Sequence, residues 1–208
     1  MTLLERLRQL LGMEAEAAAT RDADPEDLFG MSTAYVTMEA SLGFVPTGEA
    51  ALCFSEADSV RFNETVSEVR EILQMSEAET GTVAQFQEDD YGYQWIVLEA
   101  SDFEELVTNV HFASDTLIEG QFGSRLLAAM FAFEATSRAR ADDGQRAYWV
   151  YSFRRGTFYP FAPTSASERD ERVEFRLSST LDGELDVEDD RSYWYPLWPD
   201  TDDGHPWE

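Results

Sequence analysis

The chain has 208 residues, 43% of them hydrophobic and 13% aromatic, and its 42 acidic against 15 basic side chains give a formal net charge of −27. Length and apolar content suit one folded domain that buries about 70% of its unfolded surface, which excludes an intrinsically disordered chain. The charge argues against nucleic acid as a partner, since phosphate recognition rests on clustered basic side chains, and it disfavours direct docking on anionic lipid.

Every basic residue is Arg, no Lys occurs, and the carboxylates are spread along the whole chain rather than gathered in a tail or a compact cage. This pattern predicts a surface adapted to molar salt, where the Debye length shrinks to about 3 Å and like-charge repulsion costs little. The one cysteine, Cys53, excludes an intrachain disulfide and fits a reducing compartment. The opening MTLLERLRQLLG lacks the continuous apolar core of a secretory signal, and no run approaches the ~20 apolar residues of a membrane span. A cytoplasmic protein is expected.

Leu3, Leu4, Leu7, Leu10 and Leu11 follow helical spacing, which predicts an amphipathic helix over 2–11 with Arg6 and Arg8 on its polar side. Two readings fit it: a helix docked on the body, or one that meets a partner or a membrane surface. Residues 13–23 read as an acidic linker or weakly held helix extension. Asp24, Pro25, Glu26 and Asp27 make a helix start, Leu28, Met31, Tyr35, Met38 and Leu42 mark its apolar face, and Gly43 stops it. A strand over 44–54 is interrupted early by Pro46 and Gly48. Phe62, Val66, Val69 and Leu73 then predict a helix over 58–75.

Strands are predicted at 83–88 and 93–99, joined by the turn Asp89-Asp90-Tyr91-Gly92. Ser101 and Glu104 suggest a capping box for a helix whose face runs from Phe103 to Ile118, with Gly120 as its stop. Residues 126–134 read as a buried strand, 136–145 as a polar connection, and 146–154 and 157–161 as two strands turning at Arg155-Gly156. The stretch 167–181 fits either period; acids at its start and Gly183 beyond its end favour a helix. Tyr193, Trp194, Tyr195, Leu197 and Trp198 are expected to pack back on the body, and 200–208 to fray. The sum is a single α+β domain over 24–199, mostly antiparallel sheet packed against several helices, flanked by the N-terminal helix and linker (1–23) and a flexible acidic tail (200–208).

No motif commits to a reaction. His111 and His205 are far apart in sequence and neither belongs to a zinc-ligand spacing, so no metal site is expected. Cys53 has apolar neighbours and reads as a small core residue rather than a thiolate nucleophile. Phosphate-cradling glycine loops are absent, and carboxylate pairs are too common for any one to stand out. No cofactor is implied. The exception to the negative field is Arg154-Arg155, centred in the segment 147–163 in which seven of seventeen residues are aromatic. Either these arginines pair with nearby carboxylates at an exposed turn, or Arg154, Arg155, Phe158 and Tyr159 form a partner-binding patch.

Certain blocks have a recognisable look: LGFVPTG at 42–48, YGYQW at 91–95, FGSRLLAAMF at 122–131, FRRGTFYPFAP at 153–163 and YWYPLW at 193–198. Together they resemble the PspA-associated protein PspAB family, and the low-Lys acidic background is similar to its haloarchaeal members. The resemblance implies a part in the phage-shock-protein type of envelope stress response, with a PspA-like protein as partner. It also implies a link to a membrane zinc protease of the HtpX type. It supplies no catalytic residues, and its strand–helix–strand order is similar to small secretion-chaperone-like domains. The expectation is therefore a non-enzymatic accessory or adaptor protein that works by protein–protein binding and is recruited to the inner membrane surface through partners. The alternatives are a hydrolase-like enzyme with an unrecognised carboxylate/Arg site, or a self-assembling structural domain.

Overall fold

The computed structural model describes residues 24–165, 167–199 and 204–207; the helix expected over 2–11 and the linker after it lie outside them. The described chain opens where Asp24 accepts a hydrogen bond from the Glu26 N–H (3.0 Å) ahead of Pro25. A 3₁₀ segment, Pro25–Gly30, runs into α1 (Met31–Thr37) and then into a π turn, Met38–Leu42. The buried positions Leu28, Met31, Ala34, Met38 and Leu42 advance by three where the helix is tight and by four beyond it. Tyr35, expected on this face, is only half buried and leans on the Phe103 ring. Gly43 stops the helix in the left-handed region (φ 74°), and a Cβ there would stand 2.7 Å from the Ala139 nitrogen.

Strand β1 (Phe44–Ser55) follows, its register shifting between Pro46 and Ala50 where the sequence placed the interruption. Ser59 caps α2 (Val60–Thr80), which runs five residues beyond its expected end. Strands β2 (Val83–Glu88) and β3 (Tyr93–Glu99) form a hairpin held by Asp89, whose carboxylate accepts from the Tyr91 and Tyr93 N–H groups and from the Trp95 indole. The cap of α3 (Phe103–Glu119) is Asp102, which accepts from the Glu104 N–H at 2.9 Å; the Ser101–Glu104 box is not formed. Gly120 also differs from expectation. It stays right-handed (φ −65°), and Gln121 takes the left-handed conformation (φ 72°). What Gly120 provides is closeness: a Cβ would sit 2.7 Å from Thr65 of α2.

Strands β4 (Leu126–Ala135), β5 (Arg146–Ser152) and β6 (Thr157–Phe161) complete a meander, and β7 (Pro163–Ser165) and β8 (Glu168–Arg169) form a small separate ladder. The ambiguous stretch after it is helical as α4 (Glu171–Leu181), capped by Asp170. Its Val173, Leu177 and Leu181 are buried while Phe175 is 63% exposed, which is the helical period and not the alternating one.

The six long strands pair antiparallel throughout in the order β2-β3-β1-β4-β5-β6, so the chain forms an α+β domain. Helix α3 carries the chain from β3 across β1 to β4. One sheet face (Leu52, Ile96, Phe131, Trp149, Phe158) packs against residues of all four helices. The other face (Cys53, Trp95, Met130, Tyr148, Val150, Tyr159, Phe161) is covered by Trp194, Tyr195, Leu197 and Trp207. Both faces are dry, and for that reason Leu126–Phe133 reads as an unbroken apolar run and not as an alternation.

Candidate functional site

The residues expected to form a partner patch sit at the turn between β5 and β6, and three of the four are interior. Phe158 and Tyr159 are each 1% exposed and Arg155 is 6% exposed; only Arg154 is half-buried. Alternation on β6 sends Phe158 to the helix-covered face, where it meets the Tyr151 ring at 4.8 Å, and Tyr159 to the opposite face. The Tyr159 hydroxyl donates to the Tyr195 carbonyl at 3.2 Å, and burial pushes its phenol well above the ordinary value. The patch is thus not presented as one surface, because strand geometry divides its two aromatics between two cores.

Arg155 is held by a carboxylate that the sequence reading did not single out. Its Nε donates to Glu188 Oε2 at 2.7 Å and its Nη2 to Oε1 at 3.1 Å, while the guanidinium lies 3.9 Å over the Tyr193 ring. Glu188 is 5% exposed and also accepts from the Thr157 hydroxyl and the Asp190 N–H. Burial works to raise the Glu188 carboxyl, but the Arg155 hydrogen bonds and charge, the Asp190 N–H and the Thr157 hydroxyl outweigh it and hold the carboxyl below its ordinary value. On either side of Val187 the backbone closes the outer edge of β6: Phe158 N–H donates to Asp186 O and Glu188 N–H to Phe158 O, both at 2.8 Å. This shields an edge strand that would otherwise offer unpaired groups. Arg155 therefore fastens the C-terminal segment to the sheet. Arg154 lies nearer the surface, with Nη2 donating to the Ser124 carbonyl at 2.8 Å.

Two further joints secure the same segment. Glu174 of α4, fully buried, accepts Arg169 Nε at 2.7 and 2.9 Å and the Ala162 N–H at 2.9 Å, and Arg191 Nη2 lies 3.8 Å away. Burial raises its carboxyl despite these partners. Arg169 Nη1 donates onward to the Trp194 carbonyl at 3.0 Å. A cavity of about 380 Å³ lined by Arg169, Glu171, Arg191, Ser192 and Trp194 opens beside this pair.

The third joint uses the end that was expected to fray. Residues 204–207 instead lie against the outer face of the sheet, with His205 1% and Trp207 6% exposed and their rings stacked at 4.4 Å. His205 Nε2 stands 2.6 Å from Glu49 Oε2 and its Nδ1 3.1 Å from the Tyr148 hydroxyl. The aromatic and imidazole surface makes this attachment, outweighing the acidic, Pro-containing composition that suggested a loose end.

Cys53 is buried beside Trp95, and burial pushes its thiol well up, with the Asp89 charge adding to it, so it is a packing residue. His111 is 8% exposed; its Nε2 lies 3.3 Å from Glu26 Oε1, although neither ring nitrogen makes a hydrogen bond of good geometry. Among the described residues no group of three or more His, Cys, Asp or Glu side chains could hold a metal ion, and no helix is long and apolar enough to cross a membrane. A second cavity of similar size, between α2 and α3, is lined by Arg61, Glu64, Thr65, Glu68, Thr116, Glu119 and Gly120. Its lining holds three acids and a single arginine.

Sequence reasoning missed Glu174, Glu188 and Glu49 because nothing local distinguishes them among 42 acids. The usable signal was indirect. An Arg inside an apolar strand–turn requires a buried acceptor somewhere in the chain. The family model described as PspA associated protein B matches residues 1–207. No curated protein and no solved structure matches the chain.

Proposed function

The chain belongs to the PspA associated protein B family, and from that premise we propose that it is a non-enzymatic adaptor of a PspA-type membrane-stress response. It acts by binding a PspA-like protein and, through that partner, reaches the inner membrane surface from the cytoplasm. A membrane protease of the HtpX type is the second partner in this reading. The observation that carries it is the match of the family model over essentially the whole chain, since the family's description is itself an association. The burial pattern is compatible with it: the conspicuous arginine and aromatic residues are spent on internal joints, as in a scaffold that presents surfaces. Arg154 is the one member of the expected patch that a partner can reach. The acid-rich, Lys-free surface belongs to the same proposal as an adaptation to molar salt.

Affinity purification of the tagged chain from lysate kept in molar salt, followed by mass spectrometry, tests this reading. A PspA-like protein is the expected enriched species. Its absence from the eluate of folded bait, in cells that express it, overturns the proposal.

A further inference from the structure

The helix-side surface bears an apolar patch beside the point where the described chain begins. Phe29 (38% exposed) and Phe112 (48% exposed) flank the His111 ring, with centroid distances of 4.6 Å from Phe29 to His111 and 5.7 Å from His111 to Phe112. Their surroundings are acidic. Helix α3 carries Glu104, Glu105, Asp115 and Glu119 and no arginine, and the 3₁₀ segment adds Asp27 and Glu26, whose side chain is 70% exposed. Asp115 and Glu119 lie three and seven residues beyond Phe112, and therefore on its side of the helix.

The chain enters this surface from Asp24, whose N–H and C=O both bond the Tyr151 hydroxyl (3.2 and 3.1 Å) and which precedes Phe29 by five residues. Upstream is the segment 2–11 with its five leucines on one helical stripe, and it is complementary to the patch in both respects that matter. At 100° per residue, Arg6 and Arg8 fall at opposite edges of the leucine stripe, and the first twelve residues hold these two arginines against the single acid Glu5. The segment is thus locally basic in a chain of net charge −27. A helix of ten residues is about 15 Å long, comparable to the stretch of α3 from Phe112 to Glu119 with its flanks, and a spacer of a dozen residues reaches up to roughly 40 Å. Helices this short are marginal in water unless an apolar face is docked.

We infer that residues 2–11 form a helix that docks on the Phe29–His111–Phe112 patch of its own chain, leucines over the rings and Arg6 and Arg8 over the acids beside them. The cover is intramolecular and independent of PspA binding. The full chain, nitroxide-labelled at Gln9→Cys and at exposed Thr33→Cys, neither of which takes part in the inferred contact, and with buried Cys53 left in place, tests it by pulsed electron–electron distance measurement in molar salt. A narrow short distance is expected, unchanged on dilution with unlabelled protein. It should be lost when Leu4→Glu and Leu7→Glu are added, and lost again with Phe29→Ser and Phe112→Ser, which alter exposed side chains and leave the circular dichroism of the fold intact. A broad distribution in the parent, or a narrow one that survives Phe29→Ser and Phe112→Ser, overturns the inference. A narrow distance that disappears on dilution also overturns it, because the occupant is then a second copy.

Discussion

Glu188→Gln removes one charge and keeps the shape, so it isolates what the Arg155 joint contributes. Both partners are more than nine-tenths buried, and the carboxylate takes two donors from Arg155, one from Thr157 and one from the Asp190 N–H. The amide offers one acceptor oxygen, and its NH₂ faces a guanidinium that cannot accept. The variant therefore leaves a buried cation uncompensated, and breaking a buried pair in this way costs about 3–5 kcal/mol. For a domain of this size each kcal/mol shifts the melting temperature by roughly 2–4 °C, so a fall of about 6–20 °C is expected. Because the pair is shielded from water, the loss should persist in molar salt, where an exposed pair would be screened. Thermal denaturation at several salt concentrations, followed by circular dichroism, measures this. A loss below about 1 kcal/mol, or one that vanishes in high salt, would show an exposed pair and refute the buried joint.

Other perturbations separate the elements. Arg154→Ala should cost at most about 1 kcal/mol in the same assay, which distinguishes the surface arginine from its neighbour. Tyr159→Phe should cost about 1–2 kcal/mol by leaving the Tyr195 carbonyl without this donor. Gly43→Ala forces a left-handed alanine 2.7 Å from Ala139 N and should cost about 1–3 kcal/mol, read as a lower denaturation midpoint. On the acid side, Glu49 and Glu188 have carboxyls held below their ordinary value of 4.5, Glu49 by His205, Thr47 and Arg146 against the opposing effect of burial. Their stabilisation is present above that value and is lost as pH falls through the lower folded values. Glu174 is raised and opposes them, since acid relieves its burial. Melting temperature between pH 7 and pH 3 should fall, and Glu49→Gln or Glu188→Gln should flatten that fall; a parent curve as flat as the variants' would contradict the assignment.

The fold was largely legible because its elements are punctuated by local chemistry. Asp24-Pro25, Gly43 and the Asp89 turn act within a few residues of where they sit, and the 3.6 period of 60–75 and the alternation of Val83–Phe86 report directly which face is buried. Asp102 replaced Ser101 as a cap because both are capable acceptors one residue apart, and the backbone bend at Asp102 selects between them. The expected site was not legible for a different reason. An Arg between two aromatic strands looks the same in sequence whether its acceptor is a partner's carboxylate or Glu188, thirty-three residues downstream. Only the return of the C-terminal segment across the sheet edge separates these possibilities, and that return is a long-range packing event with no local signature. The buried His205–Trp207 stack was hidden likewise, behind a composition typical of loose ends.

The most direct test of the association is binding between the purified chain and a purified PspA-like protein from the same cells, by light scattering after size exclusion in molar salt. The account predicts a co-eluting complex whose mass exceeds that of either component. Separate elution of two folded proteins across the concentrations tested would contradict it.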